Sequence, residues 1–257
     1  SLRNEGIETI PELVHSFDEQ TLSKFKRPYG KTMRKVGKSA GPILQMANAI
    51  VSGKESVIQQ PEIPESSNYV MFDLEGLPPY LNEIEKIYLW GLQVFGDNPS
   101  EYIAATAGIG SNGDQQGWSD FLEKANSVLQ EYGDIPFIHW HHYEKQFLDK
   151  YVERFGDNDD IAARVRENLV DLLPITKKSI ALPLPSYSLK VVEKYVGFKR
   201  SQDEYGGDWA IAKYIEAIEI NDEEQRQEVL DQILTYNKED LEATWAVFQW
   251  LKSKYDS

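Results

Sequence analysis

Tyr69-Val70-Met71-Phe72-Asp73-Leu74-Glu75-Gly76 decides how the rest of the chain is read. Its run of aromatic, branched and long apolar residues, closed by Pro78-Pro79, has the pattern of a buried strand. Side chains two apart on a strand share a face, so Asp73 and Glu75 stand together while Phe72 and Leu74 take the other side. Two carboxylates side by side on a core strand repel each other and resist leaving water. A divalent cation such as Mg²⁺ removes both costs, because hard cations prefer carboxylate oxygen. A strand end where both groups reach solvent would satisfy them equally well, so the pair alone leaves two readings open.

Downstream, Ile87–Phe95 and Tyr102–Ala107 read as two more strands, expected to be antiparallel partners of the first. A Gly/Asn loop at 108–117 precedes a helix over Ser119–Glu131, with Phe121, Leu122, Ala125, Val128 and Leu129 on one face. Ile135–Trp140 is a fourth strand, His142–Phe155 a helix, and Leu169–Leu173 a fifth short strand. Helices are expected over 188–196, 207–220 and from Asp222 to Lys254. Sheet first and helix last fits an α/β three-layer domain.

Upstream, Ile7, Ile10, Leu13 and Val14 fall at helical spacing, and a second helix is expected from Lys31 to Val51, interrupted at Gly41-Pro42. The Gly6-Ile7 step before a helix faintly resembles a helix-hairpin-helix element. Residues 52–68, rich in Ser, Pro, Glu and Gln, form a linker. Two parts are therefore expected: a helical, basic segment at 1–60 and a main domain at 61–257.

Composition excludes several classes. The 257 residues hold no Cys, which removes disulfides, thiolate metal sites and Cys nucleophiles. No apolar run approaches a membrane span and no signal peptide is evident, so no membrane partner and a cytoplasmic setting are expected. Net charge is −15, against a broad basic face for coating nucleic acid. Residues 1–60 depart from this, with nine Lys/Arg against six acids, hence +3, and the remainder −18. The basic stretch from Lys24 to Lys38 reads most simply as a solvated helix.

Two further segments carry chemistry. In Thr235-Tyr236-Asn237-Lys238-Glu239-Asp240, the helical spacing places Tyr236 and Asp240 on one face, a phenol beside a carboxylate. In Phe137-Ile138-His139-Trp140-His141-His142-Tyr143-Glu144, the acid falls in the first turn of a helix, past the carboxyl end of a strand. An exposed Asp beside a core Tyr is the plain alternative for the first. Zinc held by His139, His141, His142 and Glu144 is an alternative for the second, though three histidines at a strand–helix junction point in different directions.

Asp-Leu-Glu-Gly on a first strand, an acid behind His-Trp-His-His-Tyr, and Tyr-Asn-Lys-Glu-Asp on a last helix occur in that order in the DEDD (DnaQ-like) superfamily of 3′→5′ exonucleases, whose tyrosine subgroup this chain resembles. More narrowly, residues 69–252 are similar to the ribonuclease-H-like region of RecB-type nucleases of bacteria. Leu169-Val-Asp-Leu-Leu, Tyr187-Ser-Leu-Lys-Val-Val-Glu-Lys-Tyr-Val-Gly-Phe and Tyr205-Gly-Gly-Asp add to that likeness. The resemblance implies a ribonuclease-H-like α/β fold with a five-stranded mixed sheet, preceded by a small helical segment. It also implies a further nuclease domain ahead of this region, in keeping with a chain that opens on Ser rather than Met.

By the same resemblance, Asp73, Glu75, Glu144 and Asp240 hold two divalent cations, Mg²⁺ or Mn²⁺. Asp73 bridges the two, Glu75 and Asp240 hold the one carrying the attacking water, Tyr236 orients that water, and Glu144 serves the second. The implied substrate is single-stranded DNA or RNA, digested from its 3′ end. The superfamily usually has Asp where this chain has Glu144, and the extra methylene moves the carboxylate outward by about 1.5 Å. Lys190, at a helix start after Pro183 and Pro185, is a candidate for touching phosphate, and His141 for facing substrate. Asp171 reads as a supporting acid or a structural one, and Gly206-Gly207 as a helix entry. The rival reading is a scaffold or nucleic-acid-binding module with a decayed site, serving a larger nuclease through residues 1–60.

Overall fold

A computed structural model describes residues 2–79, 85–108, 112–201 and 206–255. Chain contacts divide it into two units: 1–62 with 174–192 and 251–257, and 63–173 with 193–250.

The first unit opens with helices α1 (Ile10–Ser16) and α2 (Glu19–Lys24). Thr9 starts α1 with a reciprocal capping box to Glu12, and Pro11 sits in its first turn, where a missing N–H costs nothing. A hairpin, β1 (Lys26–Tyr29) and β2 (Thr32–Lys35), then precedes α3 (Ala40–Ser52) and the short β3 (Ser56–Val57). The sequence pattern placed a helix from Lys31, and the structure corrects it. No apolar stripe runs through Lys-Arg-Pro-Tyr-Gly-Lys-Thr-Met-Arg-Lys, Pro28 cannot join a helix interior, and Gly30 supplies the positive φ (58°) of a two-residue turn. Gly41-Pro42 does not interrupt α3 but lies in its first turn, where proline is at home.

The second unit carries a five-stranded mixed sheet of order β6-β5-β4-β7-β8. Its strands are β4 (Asn68–Leu77), β5 (Lys86–Gly96), β6 (Ile103–Thr106), β7 (Phe137–His139) and β8 (Leu169–Asp171). The expected α/β fold with this sheet is the one observed. One pairing differs from expectation: β6 pairs with β5, and the far side of β4 is taken by β7, in parallel. A hairpin-connected meander keeps successive strands adjacent, which the order of the elements alone does not reveal. Helices α4 (Gly113–Tyr132), α5 (Tyr143–Phe155) and α6 (Ile161–Glu167) intervene between the strands. After β8 come α7 (Leu172–Ser179), β9 (Ile180–Ala181), α8 (Leu189–Tyr195), α9 (Gly207–Glu219) and α10 (Glu223–Ser253). The fifth strand thus ends at Asp171 and a helix takes over. Tyr205 of the Tyr-Gly-Gly-Asp stretch lies outside the described residues.

Two faces of the sheet are covered differently. Val70, Phe72 and Leu74 of β4 join Trp90, Trp118, Phe121, Phe147 and Tyr151 in the main core. Phe72 stacks on Phe121 at 5.7 Å, and Trp90 lies edge-on to Tyr151 at 4.9 Å. Large rings of this kind bury much apolar surface per residue. On the other face Tyr88 and Leu89 meet Tyr214 of α9 and Ile233 of α10. Alternation along β5 breaks there because the β4–β5 register slips between Glu75 and Gly76. That bulge turns two successive residues to one side, at the end of the strand that bears Asp73 and Glu75. Among the described residues no helix is long and apolar enough to cross a membrane.

Candidate metal centre

Because Phe72 and Leu74 are committed to the main core, Asp73 and Glu75 project from the opposite face of β4. Asp240 reaches the same place from α10. One carboxylate oxygen from each of Asp73, Glu75 and Asp240 lies within 4.8 Å of the others. Glu75 is 8% exposed, Asp240 7%, and Asp73 half-buried. Three like charges this close and this dry oppose their own assembly, so what surrounds them matters.

Asn237 donates from Nδ2 to Asp73 Oδ2 at 2.7 Å and accepts at Oδ1 from the Tyr102 hydroxyl at 2.8 Å. Gly91 makes room for it. The residue stands opposite Asp73 on β5, and a Cβ there would lie 1.8 Å from Asn237 Oδ1. Arg200 donates from Nη2 to Asp240. Its Nε and Nη2 also each donate to Glu193 at 2.6 Å, a fork on both oxygens of that carboxylate. Arg200 Nη1 is buried with no hydrogen-bond partner among the described residues.

Tyrosines line the cluster. Burial first, and then the charges of Asp240, Glu75 and Asp73, push the Tyr236 hydroxyl far above the ordinary phenol range. The same causes, burial and the nearby Glu75 and Asp73, raise Tyr88 and Tyr102. Tyr143 is pushed up to about 12 by burial, Glu85 and Glu75. Each phenol therefore keeps its proton and can donate it in a hydrogen bond, but none can serve as a base near neutrality.

Glu144 is not part of that group of three. It sits in the first turn of α5, 2% exposed, and Oε2 meets Nδ1 of the equally buried His139 at 3.0 Å. Burial lifts its carboxyl above the usual range, and the His139 hydrogen bond pulls part of the way back. His141 and His142 are exposed, their rings 3.9 Å apart. Among the described residues the histidines form no metal-ligating group with Glu144, which removes the geometric basis of a zinc site. His141 has a left-handed backbone, φ 85°, and its N–H donates to Asp171 Oδ1 at 3.0 Å. The same oxygen accepts from the Leu173 N–H at 3.1 Å, so Asp171 ties the loop after β7 to the start of α7. Lys190 lies on α8 among the residues of the first unit.

Five residues around the cluster escaped the sequence pattern. Asn237 stands three residues before Asp240 and so shares its helix face, a signal that was available. Arg200 and Glu193 were not readable, since their link to Asp240 spans 40 residues with no motif. Gly91 lies on β5 and Tyr102 just before β6, so their place beside the cluster depended on strand pairings that had first to be known.

The donor set is three hard carboxylate oxygens with no sulfur or imidazole, which fits Mg²⁺ or Mn²⁺ better than a softer ion. The family RNase_H_2, described as RNase_H superfamily, matches residues 70–252, a span that takes in Asp73, Glu75, Glu144, Tyr236 and Asp240. No curated protein matches the chain.

Proposed function

The chain belongs to the RNase_H superfamily, and from that premise we propose a divalent-metal-dependent nuclease that shortens single-stranded DNA or RNA from the 3′ end. The observation that carries the reading is the convergence of Asp73, Glu75 and Asp240, from a first strand and a last helix, within 4.8 Å. Cations held there would supply the positive charge that stabilises the attacking and leaving oxygens of a phosphodiester displacement.

The protein's own groups divide the remaining work. Asp73 would be the ligand common to the cations, and Asn237 fixes the orientation of its carboxylate. Glu75 and Asp240 would hold the cation that carries the attacking water, with Arg200 fixing Asp240. Tyr236, held protonated, orients that water by hydrogen bonding and does not remove its proton. Glu144, positioned by His139, would support the second cation through water. A substrate phosphate would supply further oxygen ligands to a cation in the second position. Residues 1–60 act as an accessory to the catalytic part at 61–257, and a further nuclease domain ahead of both fits the RecB-type likeness.

The test is a 3′-labelled single-stranded oligonucleotide with Mn²⁺. Stepwise release of the label, stopped by EDTA and absent in Asp73→Ala and Asp240→Ala, is expected. Cleavage that survives both substitutions ends the reading. A second reading, a decayed site in a binding module, is favoured by the engagement of Glu144 with His139 and of Asp240 with Arg200. Calorimetric titration separates the two: an intact site binds one or two Mn²⁺ ions, and a decayed one gives no saturable heat.

A further inference from the structure

The hairpin β1–β2 breaks the charge logic of the rest of the chain. Five of its ten residues, Lys26, Arg27, Lys31, Arg34 and Lys35, are cationic and none is acidic, in a protein of net charge −15. All five are exposed, and so is every other residue of both strands. The antiparallel register sets Lys26 opposite Lys35 and Arg27 opposite Arg34. Like charges directly across a strand pair destabilise it, and none of these five forms an ion pair with a carboxylate among the described residues. A local rule broken twice without internal compensation points outward, to an anionic occupant.

The ribbon is also held out as an arm. A two-stranded hairpin with both faces in water is marginal alone. This one is anchored at its base, where the Val36 N–H donates to the Phe25 carbonyl at 2.9 Å. Phe25 and Val36 pack against the small core of Leu22, Ala40 and Leu44, and Phe25 meets Phe17 edge-on at 5.6 Å. Beyond that base the strands carry exposed apolar groups instead of covering them: Tyr29 is 56% exposed and Met33 59%. Cross-strand partners share a face, so Arg27, Arg34, Tyr29 and Thr32 stand on one side. The Arg34 guanidinium lies over the Tyr29 ring at 5.0 Å, which steadies that ring while leaving it accessible.

Cations flanking an accessible aromatic ring are what a single-stranded nucleic acid requires: phosphates meet the charges and an unstacked base meets the ring. We infer that the β1–β2 ribbon is a single-strand-binding arm, with Arg27 and Arg34 on the phosphates beside Tyr29, which stacks on a base. Lys31 meets a phosphate at the turn, and Lys35 a phosphate that passes to the opposite face. The inference takes from the proposed function only that the ligand is a nucleic acid, and it does not depend on cleavage.

Fluorescence anisotropy with a labelled single strand of roughly 30 nucleotides, in EDTA, tests it on the whole chain and reads binding with no metal present. The variant Arg27→Gln/Lys31→Gln/Arg34→Gln/Lys35→Gln should bind at least about tenfold more weakly near 0.1 M salt. Its slope of log K against log [salt] should be shallower by about 3, at roughly 0.7 per lost phosphate contact on a single strand. Tyr29→Ala should weaken binding about fivefold or more while Tyr29→Phe retains it, as stacking predicts. These surface changes leave the core untouched, and circular dichroism checks that the fold persists. An unchanged affinity and salt slope in the fourfold variant overturns the inference. So does tighter binding of the same sequence as a duplex, or binding of anionic phospholipid vesicles in place of the oligonucleotide. If the arm binds and no cleavage follows with Mn²⁺, the catalytic reading falls and the arm stands. Cleavage with an arm that does not bind gives the reverse.

Discussion

The cluster of Asp73, Glu75 and Asp240 and the pair of Glu144 with His139 start from the same difficulty, an acid withdrawn from water, and resolve it in opposite ways. Glu144 meets the His139 ring at 3.0 Å and is buried with it. Nothing further is needed to satisfy that contact. The three acids of the cluster are brought within 4.8 Å of one another, and donors are aimed at individual oxygens from Asn237 and Arg200. The guanidinium that donates to Asp240 is shared with Glu193. A buried acid held by a histidine is a completed contact, whereas three converging carboxylates are a donor set suited to a hard cation.

The largest expected effect breaks the cluster. Asp73→Asn or Glu75→Gln should abolish saturable Mn²⁺ binding and lower cleavage by at least ~10³-fold, since ion-mediated stabilisation of the transition state is worth several kcal/mol. In EDTA the same variants should melt no lower than the parent, because each removes one of three repelling charges. A variant that melts well below the parent would mean that the cluster is structural. Tyr236→Phe comes next: it keeps the ring beside Trp209 and loses only the hydroxyl. About 10²-fold in kcat with Mn²⁺ affinity unchanged is expected of a group that orients the attacking water. A loss confined to metal affinity would contradict that role.

Glu144→Gln sharpens the comparison from the other side. Acting behind the ligands and not among them, it should cost about 10–100-fold in activity. Mn²⁺ binding by the cluster of three should survive. Loss of all saturable heat in this variant would place Glu144 with the other acids. A smaller effect is expected from Gly91→Ala. The added methyl collides with Asn237 Oδ1, so the amide must turn away from Asp73. Overpacking of this kind costs about 1–3 kcal/mol of stability. Activity should fall roughly tenfold, as expected when a group that orients a ligand is displaced. The double variant with Asn237→Ala should recover much of the stability and none of the activity.

These residues also mark how far the sequence could be read. The strand bearing Asp73 and Glu75 and the helix bearing Tyr236 and Asp240 were legible because each motif is local, two or four residues apart at a fixed period. That the two would share one face followed only from the family likeness, since no local rule links residue 73 to residue 240. The sheet was legible as an α/β sheet, but the partner of β6 was not, because strand periodicity fixes faces and says nothing of neighbours. The ribbon at 26–35 was missed for a different reason: charged residues dominate both its faces, so no apolar period marks it as either strand or helix. Arg200 was missed because a buried ion pair across 40 residues leaves no pattern at all.

The finest test of the comparison is the pH dependence of stability in EDTA. Burial raises the folded-state ionisation of Glu144 above the value of an unfolded glutamate. A raised carboxyl stabilises the fold fully below the unfolded value, near 4.3, and that contribution is lost as pH climbs through the folded value. The metal-free parent should therefore lose melting temperature over that window relative to Glu144→Gln, whose amide does not titrate. Each kcal/mol of linkage corresponds to about 2–4 °C for a chain of this size. His139→Gln removes the hydrogen bond that holds the carboxylate down, so its loss should extend to higher pH than in the parent. Superimposable melting curves for parent and Glu144→Gln would show that Glu144 is as well solvated as an ordinary surface acid, and the distinction between a sealed pair and an open cluster would fail.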